Sequence, residues 1–378
     1  MTQIILVIPL FIIFIVSVAL QLYFIFFVFT KINHYETPIR KTHKPEGVSV
    51  VVCAWNELEN LKSLIPLVNN QNYPTFEIII VDDRSWDGTF DYLSTECSEY
   101  ESVRFIKVEE TPCNLSSKKY ALTLGIKLAK YNNLLLTDAD CRPQSNNWIA
   151  GMAECLTTDK EIVLGFSPYF KGKGFLNNLI RYETFNTAVQ YFSFAISGVP
   201  YMGVGRNLMY RKSIFLKNEG FVKHINIVGG DDDLFMNDIA NANNTAVCLN
   251  PETFMYSLPK TTWQTWYRQK SRHLSVSKHY KLQHKINLGG LVTSQILTWI
   301  CFVILIPISF HNPLIYWILG IFLFRLISQI IVFTKANKRL DNTLEIITLP
   351  FWDGIFALYF LIMGINNFIP RRQKMRWR

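Results

Sequence analysis

Long apolar segments at the two ends of the chain place the strongest limit on its fold. Ile4 to Thr30 is almost entirely Ile, Leu, Val and Phe, and it exceeds the ~20 residues that a helix needs to cross a bilayer. A cleaved signal peptide is the competing interpretation, but the start MTQ has no basic region and the apolar run is longer than is usual for such a peptide. Residues 1–30 are therefore predicted to form a transmembrane anchor.

Three further apolar segments predict a second membrane region at 288–368. The first two, Leu288 to Phe310 and Pro313 to Thr334, are joined by two residues and predict a transmembrane hairpin. The third, Leu344 to Phe368, contains Asp353, and a carboxylate deep in lipid is costly. This third segment is interpreted as either transmembrane or interfacial, and the sequence leaves both interpretations open. Paired charges of the kind found along a transport pathway are not evident in these segments, which argues against a transporter.

The distribution of charge also indicates a membrane surface. The 378 residues carry a formal net charge of +9, and many basic residues adjoin the apolar segments, most densely in a basic tail at 369–378. This placement is typical of the cytoplasmic face of a membrane protein, so nucleic acid is not expected as a partner. Lys31, Arg40, Lys41 and Lys44 after the first segment predict that the following region is cytoplasmic. The seven cysteines form no CxxC pair, which fits reduced thiols in that compartment.

From Val48 onward the sequence alternates between strand-like and helix-like patterns. Apolar runs typical of buried strands occur at 48–54, 76–81 and 134–136, and 103–108 also looks like a strand. Segments with helical spacing of apolar residues lie between them, at 58–68 and 116–130. Strands that alternate with helices predict a mostly parallel sheet with covered faces. Region 48–285 is therefore predicted to be an α/β domain flanked by transmembrane helices.

Acidic side chains follow three of these strands, at the sheet edge where ligands of open α/β sheets bind. They are Glu57, the adjacent pair Asp82 and Asp83, and the pair Asp138 and Asp140. A single residue between two acids lets both approach one hard cation that also holds a phosphate. A lone DxD is more often a polar turn, but the recurrence of acids at one edge favours a site for a metal and a phosphate ligand.

Together these motifs resemble the family 2 glycosyltransferases, an inverting and membrane-associated family with a GT-A fold. The resemblance covers Val48 to His273, and its most specific part is IIIVDDRSWDGT at 78–89, which is similar to the family's VDDxSxDGT. CAWNE at 53–57 resembles the first nucleotide-contacting loop, TDAD at 137–140 resembles the metal-binding DxD, and Lys118 begins a Lys-x-x-Ala-Leu pattern. The resemblance implies a GT-A catalytic domain that uses a nucleotide sugar with Mg²⁺ or Mn²⁺.

The resemblance also implies roles for individual residues. Asp138 and Asp140 would hold the metal, which can neutralise the charge that develops on a departing diphosphate. Asp83 would meet the base or ribose of the donor, and helix capping is a competing role for one member of its pair. The full set of implied nucleotide-sugar contacts is Ala54, Asn56, Glu57, Asp82, Asp83, Lys118, Asp138, Gln269 and Arg272.

Gln269 and Arg272 come from a stretch that is similar to the family's QxxRW, with His273 in place of Trp. This departure weakens the case for a processive polymer synthase. The two residues stand three apart and would share one face of a helix, where Arg272 would add positive charge against the diphosphate. The nearby Trp263, Trp266 and Arg268 are interpreted as an interfacial anchor.

GGDDDLF at 229–235 resembles the family's acidic motif that supplies the catalytic base. Inversion requires a base on the face of the sugar opposite the leaving group, because the acceptor hydroxyl must lose a proton as it attacks. Asp232 is the preferred base by its similarity to the GDD of hyaluronan-type synthases. Asp231 and Asp233 remain alternatives, and a solvated acidic loop is the competing interpretation of the motif.

The predicted function is a membrane-anchored, inverting, hexosyltransferase-like glycosyltransferase with a cytoplasmic catalytic domain. Its donor would be a nucleotide sugar, with a UDP-linked sugar favoured, and its acceptor a lipid-linked glycan or a polysaccharide. Three carboxyl-terminal segments are few for a translocation pore, which favours the lipid-linked acceptor. The alternative is a membrane-bound sensor or scaffold that binds nucleotides without turnover, and such a protein would not need a base at 231–233.

Overall fold

The computed structural model describes residues 2–39, 45–113 and 115–368, with side chains from residue 7 to residue 364 of these ranges. The predicted basic tail at 369–378 and the basic residues at 40, 41 and 44 lie outside the described residues. The chain divides into two compact units. One spans Glu36–His279, and the other combines the residues up to Tyr35 with those from Tyr280 onward.

The helices of the described residues are numbered in chain order. They are α1 Thr2–Tyr23, α2 Lys31–His34, α3 Leu58–Asn69, α4 Thr89–Ser94, α5 Ser117–Leu128, α6 Trp148–Cys155, α7 Phe175–Ile196, α8 Lys212–Lys217, α9 Asp233–Ile239, α10 Trp263–Ser277, α11 Leu282–Ile308, α12 Leu314–Arg339 and α13 Leu349–Phe368. A π-helical segment, Phe24–Phe29, continues α1. Short 3₁₀ turns lie at Glu96–Glu99, Val222–His224, Pro251–Thr253 and Ile346–Thr348.

The strands belong to the larger unit. They are β1 Val48–Ala54, β2 Phe76–Asp82, β3 Val103–Lys107, β4 Asn133–Asp138, β5 Cys141–Pro143, β6 Ile162–Leu164, β7 Leu208–Arg211, β8 Thr245–Val247 and β9 Met255–Ser257. Seven of them form one sheet in the order β3-β2-β1-β4-β7-β6-β8, and β5 pairs with β9 in a small second sheet. Only β7 runs antiparallel to its neighbours in the large sheet. The predicted mostly parallel α/β sheet is therefore confirmed.

The central strands are buried on both faces because their side chains are almost all apolar. In β1 the exposure of Val48, Val50 and Val52 is 0%, as expected for a parallel strand covered by helices. Helix α5 packs tightly on this sheet at Gly125, where an added Cβ would lie 2.8 Å from side chains of both β1 and β2. The close approach fixes α5, and with it the lysines of its first turn, against the sheet.

The second unit consists of helices. Four segments are long and apolar enough to cross a membrane by length and composition, namely Val7–His34, Leu282–Ile308, Leu314–Arg339 and Ile346–Gly364. Helices α11 and α12 occupy the region of the predicted hairpin, although α11 begins at Leu282, upstream of the predicted start. The helix α13 covers most of the predicted third segment.

A buried ion pair joins α12 to α13 in this unit. Arg325 and Asp353 are 1% and 0% exposed, and the two nitrogens Nη1 and Nη2 of Arg325 donate to the two carboxylate oxygens of Asp353, with 3.1 Å between Nη2 and Oδ1. The prediction that the apolar segments lack paired charges is therefore wrong. It failed because the partners are 28 residues apart in sequence, and their pairing depends on how two helices are rotated toward each other.

Further polar side chains of α1, α11 and α12 hydrogen-bond to this pair. Gln295 and Trp299 of α11 and Gln329 of α12 donate to the carboxylate of Asp353. Gln21 of α1 accepts a hydrogen bond from Nη2 of Arg325 at 2.8 Å. We call these six residues the membrane-unit polar cluster. It removes the cost that weighed against a membrane location for the third segment, because Asp353 faces polar partners and not lipid.

Candidate active site

The carboxyl ends of three neighbouring parallel strands carry the predicted acidic residues. Strand β1 pairs with β2 on one side and with β4 on the other, and the register places Ala54 opposite Asp82 and Cys53 opposite Asp138. The acidic residues that lie at the ends of β1, β2 and β4 are therefore brought together at the carboxyl edge of the sheet, as expected for an open α/β sheet. The loops that follow these strands build the rest of the site.

The loop after β1 is held to the loop after β2 by hydrogen bonds. Asn56 lies in the left-handed region at φ 55°, its N–H donates to Ser85 Oγ, and its side-chain oxygen accepts from the N–H of Trp86. Asp87 accepts from the N–H groups of Leu58 and Thr89, at the starts of α3 and α4. The sequence suggested a helix-capping role for Asp82 or Asp83. In the structure it is Asp87 that hydrogen-bonds to the starts of these two helices.

An open cavity of about 250 Å³ lies between these two loops. It is lined by Asn56, Glu57, Leu58, Glu59, Asn60 and Asp87. Glu57 accepts a hydrogen bond from Asn60 at 2.6 Å, and burial raises the pKa of the Glu57 carboxyl group. Two of the predicted nucleotide contacts, Asn56 and Glu57, therefore face a space open to a ligand.

Asp82 and Asp83 lie at the end of β2, and both are 0% exposed. Oδ1 of Asp82 accepts from the N–H of Ser85, and Oδ1 of Asp83 accepts from Nε of Arg84. The second carboxylate oxygen of each acid is buried and has no hydrogen-bond partner among the described residues. Burial raises the pKa of Asp82. Buried acceptors without partners are costly, and a donor group of a ligand would relieve that cost.

Lys118 joins two acidic motifs that are far apart in sequence. Its ammonium lies 3.2 Å from Oδ1 of Asp138 and 2.9 Å from Oδ2 of Asp231. Burial acts to lower the pKa of Lys118, but these two carboxylates outweigh burial and raise it well above its ordinary value. The ammonium therefore stays charged, and it joins Asp138 of the DxD pair to Asp231 of the GGDDD motif in one small cleft, which also contains Gly205 and Asp232.

The three adjacent aspartates have different surroundings. Burial alone would raise the pKa of Asp231, but the charge and hydrogen bond of Lys118 outweigh it and lower that pKa. Oδ2 of Asp232 accepts from the N–H of Gly205 and its Oδ1 accepts from the N–H of Asp233, both at 2.8 Å. Burial and the charge of Asp231 nevertheless raise the pKa of Asp232. Asp233 is the first residue of α9, is buried, and accepts from the N–H of Leu234.

The pair Asp138 and Asp140 has a donor set that fits a divalent cation. Carboxylate oxygens are hard ligands of the kind that Mg²⁺ and Mn²⁺ prefer, and burial and the charge of Asp138 raise the pKa of Asp140. Oδ1 of Asp140 accepts only a long hydrogen bond, 3.3 Å from Ser257 Oγ, besides a contact with the thiol of Cys141. No cluster of three or more ligating side chains exists in the described ranges, so phosphate or water oxygens would have to complete the coordination.

The two residues predicted from the QxxRW-like stretch lie on α10. The side chain of Arg272 approaches the GGDDD loop, because a Cβ built on Gly229 would lie 3.6 Å from Cγ of Arg272. Gln269 is half-buried, and no contact with the acidic motifs is described for it. The interpretation of Trp266 as an interfacial anchor is wrong, because Trp266 is 5% exposed and packs edge-on against the half-exposed Trp263.

Sequence reasoning missed Arg206 as a member of the site. Its guanidinium carbon lies 4.3 Å from the centre of the Tyr169 ring. Burial and the charge of Asp138 raise the pKa of Asp140, and the charge of Arg206 offsets part of that rise. The motif GVGRN at 203–207 was the available signal. A glycine-rich stretch predicts a turn but does not indicate which side chain of the turn faces a ligand.

Comparison with solved structures supports the fold. A mannosyltransferase from Pyrobaculum calidifontis, PcManGT, solved in complex with GDP-Man and Mn²⁺, matches with a TM-score of 0.57 at 16% identity. The match covers 95% of this chain and 99% of that one. At this identity the likeness shows a shared GT-A fold and nothing about substrates.

Curated relatives match the catalytic region in part. The hyaluronan synthase of Pasteurella multocida is 30% identical over 156 residues, which are 39% of this chain and 15% of that protein. The poly-beta-1,6-N-acetyl-D-glucosamine synthase of Staphylococcus epidermidis is 33% identical over 95 residues, which are 25% of this chain and 22% of that protein. The chain thus spans less than a quarter of the length of either relative.

Two family models match the chain directly. Residues 49–218 match Glycosyl transferase family 2, and residues 134–331, more than half of the chain, match Glycosyl transferase family group 2. Both matches include β4 and the DxD pair that follows it. The chain therefore belongs to the family 2 glycosyltransferases and is a glycosyltransferase with a GT-A fold.

Proposed function

We propose that this protein is an inverting glycosyltransferase that moves a sugar from a nucleoside diphosphate sugar, UDP-linked, to a lipid-linked or polysaccharide acceptor at a membrane. The observation that carries the proposal is the double ion pair of Lys118. Because its ammonium contacts Asp138 and Asp231, the motif that would meet the donor phosphates lies beside the loop that carries Asp232, the residue that would meet the acceptor. A transferase needs both functions in one cleft.

Asp232 is the residue that we assign as the base. Its two carboxylate oxygens are oriented by the N–H groups of Gly205 and Asp233, so the carboxylate is held in one direction before a substrate arrives. Its pKa is raised, which brings it closer to the operating pH and improves a general base. Asp231 is less suited to this role, since its ion pair with Lys118 lowers its pKa.

The donor side of the site rests on Asp138, Asp140 and the β1 and β2 loops. When bound between these carboxylates and the donor diphosphate, Mg²⁺ or Mn²⁺ would neutralise charge on the leaving group. The named complex of PcManGT with GDP-Man and Mn²⁺ supports this assignment. Lys118 and Arg272 supply further positive charge near the same edge. Asp82 and Asp83 offer buried acceptor oxygens to hydroxyl or N–H groups of the nucleoside.

The acceptor is assigned from the surroundings of the catalytic unit. Four helices capable of crossing a membrane accompany it in the described chain, so the acceptor is expected in or at the membrane. The names of the two curated relatives denote polysaccharide synthases, which keeps a polymer acceptor in the proposal. His273 in place of the usual Trp favours a lipid-linked acceptor over processive synthesis.

One experiment tests the donor and the acceptor together. Membranes that contain the protein are incubated with radiolabelled UDP-sugars and GDP-sugars, and the lipid and polymer products are separated. We expect label from a UDP-sugar in the lipid fraction, and none with the Asp232→Asn variant. The proposal would be contradicted if none of the nucleotide sugars donated label, or if Asp232→Asn transferred as much label as the parent.

The catalytic unit is proposed to be cytoplasmic, where nucleotide sugars are made. Lys31, Lys335, Lys338 and Arg339 lie at the ends of the apolar helices, and basic residues favour the cytoplasmic side. The exposed thiol of Cys113 provides a reporter. A membrane-impermeant maleimide should label it only in inverted vesicles, with Cys113→Ser as the control. Labelling in intact cells would place this unit outside and contradict the proposal.

A further inference from the structure

The loop that carries Arg206 is fixed on both sides of that residue. The N–H of Gly205 donates to the carboxylate of Asp232 at 2.8 Å. On the other side, Asn207 is 0% exposed, donates to the carbonyl oxygens of Phe166 and Thr253, and accepts from the indole N–H of Trp148. The backbone at Arg206 is therefore held in place without any contribution from its own side chain.

The side chain of Arg206 is oriented toward the DxD pair. Its guanidinium lies 4.3 Å over the ring of Tyr169, which is 8% exposed. The backbone of Tyr169 forms an isolated β-bridge with that of Ser257, and the hydroxyl of Ser257 donates a hydrogen bond to the carboxylate of Asp140. A guanidinium that stacks on an aromatic ring still presents its N–H edge to an anion.

One nitrogen of the Arg206 guanidinium has no hydrogen-bond partner among the described residues. Nη1 of Arg206 is buried and makes no hydrogen bond within the part of the chain that the structure describes. A buried cationic donor without a partner is costly, and the stacking contact with Tyr169 does not supply an acceptor. The fixed loop at 205–207, the Tyr169 ring and the N–H group on Nη1 of Arg206 together form a preformed position for an anionic oxygen.

We infer that Arg206 binds the diphosphate of the donor, next to the Asp138 and Asp140 pair. Arg recognises phosphate oxygens with geometric specificity through its planar fork. Phosphate is also the anion that the neighbouring carboxylates would hold through a cation. The inference rests on the proposed function, since it presumes a nucleoside diphosphate donor. The competing role for Arg206 is a structural cation that only balances the acids around it.

The test measures nucleotide binding by the full chain in detergent, independently of transfer. UDP and GDP are the phosphate-bearing probes, and uridine and guanosine are the matched probes without phosphate. The variants are Arg206→Gln and Arg206→Lys. The control is Arg104→Gln, which removes an arginine whose ion pair with Glu77 lies at the opposite end of β2. Thermal unfolding of every variant is recorded beside the binding.

Arg206→Gln is expected to weaken binding of the nucleoside diphosphate by about 10- to 100-fold, because a charge-assisted hydrogen bond is lost. Arg206→Lys should lose less, Arg104→Gln should bind like the parent, and binding of the nucleoside should not change. A parent-like diphosphate affinity in Arg206→Gln, or an equal loss for nucleoside and diphosphate, overturns the inference. If the parent itself binds neither UDP nor GDP, the proposed function fails first.

Discussion

Buried carboxylates occur in both units of the molecule, but their surroundings are opposite. Asp353 in the helical unit accepts hydrogen bonds on both oxygens and is paired with Arg325. In the catalytic unit, three aspartates, Asp138, Asp231 and Asp232, line one cleft with Lys118, whose ammonium contacts Asp138 and Asp231. The carboxylates of the catalytic cleft outnumber this ammonium, so the cleft carries excess negative charge.

The difference separates a structural acid from a functional one. A buried carboxylate that is neutralised by its own arginine is part of the packing, and removal of either partner leaves an unpaired buried charge. Carboxylates whose pKa values are raised by burial and by one another are typical of sites that bind cations or move protons. Substitutions in the catalytic cleft should therefore impair transfer, whereas substitutions at the Arg325–Asp353 pair should impair stability.

The largest expected effect is the loss of donor use in the catalytic cleft. Asp140→Ala should abolish sugar transfer, because it removes one of the two carboxylates assigned to the cation, and excess chelator should abolish transfer by the parent. The thermal unfolding midpoint should stay close to the parent's. Asp159→Ala, at an acid with a 73% exposed side chain, is the control. Full transfer in excess chelator would refute the metal assignment.

The next effect concerns the base. Asp232→Asn keeps the side-chain shape and should lower turnover by ~10²–10⁴-fold, the usual contribution of general base catalysis, while UDP affinity remains near the parent's. Asp231→Asn and Asp233→Asn should lose less, since they would alter the electrostatics without accepting the proton. If Asp232→Asn transfers sugar normally and one neighbour is inactive, the base is that neighbour.

The matching substitutions in the membrane-unit polar cluster should affect stability. Arg325→Met or Asp353→Leu alone leaves a buried charge without its partner, and each should destabilise the unit by about 3–5 kcal/mol. The double variant should be less destabilised than either single variant, because no unpaired charge remains. The midpoint of thermal unfolding in detergent measures this. A double variant with additive losses would mean that the charges do not act as a pair.

The smallest effect is a pH dependence confined to the catalytic cleft. A base must be deprotonated to act, so the transfer rate should fall as pH decreases through the pKa of Asp232, at most ~10-fold per pH unit. Because that pKa is raised, the fall should begin at a higher pH than for an ordinary Asp. The residual transfer rate of Asp232→Asn should not show this fall with decreasing pH. An identical pH profile for the parent and this variant would count against Asp232.

Of the four long parallel strands, β1, β2 and β4 were predictable because each is a mostly apolar run bounded by polar loops, and β3 because its residues follow the same alternation of strands and helices. Three other strands of the sheet, Ile162–Leu164, Leu208–Arg211 and Thr245–Val247, were not predicted. Segments of three or four residues carry too little periodicity to be told from turns, and their pairing depends on tertiary contacts. The fold class was therefore accessible from the sequence, but the three short strands at the β7-β6-β8 side of the sheet were not.

The candidate site was predictable where local motifs define it. The acids of DDxSxDGT and DxD follow strands directly, so their position at one sheet edge followed from topology alone. The contact of Lys118 with Asp231 was not predictable, since 113 residues separate them and no local pattern encodes the approach. Arg206, Arg325 and Trp266 were missed or misinterpreted for the same reason, because rotation of a helix or loop decides what each side chain meets.

The membrane-unit polar cluster also has a consequence for biosynthesis. Gln21 and Arg325 lie 304 positions apart in sequence, and the whole catalytic unit is encoded between them. At about 5–20 residues per second, roughly 15–60 s pass between the synthesis of one partner and that of the other. For most of this interval, until Leu291 and Ser294 of α11 are made, α1 exists without the groups that hydrogen-bond to the Gln21 side chain. Translation of the enzyme's catalytic unit therefore precedes completion of its membrane unit.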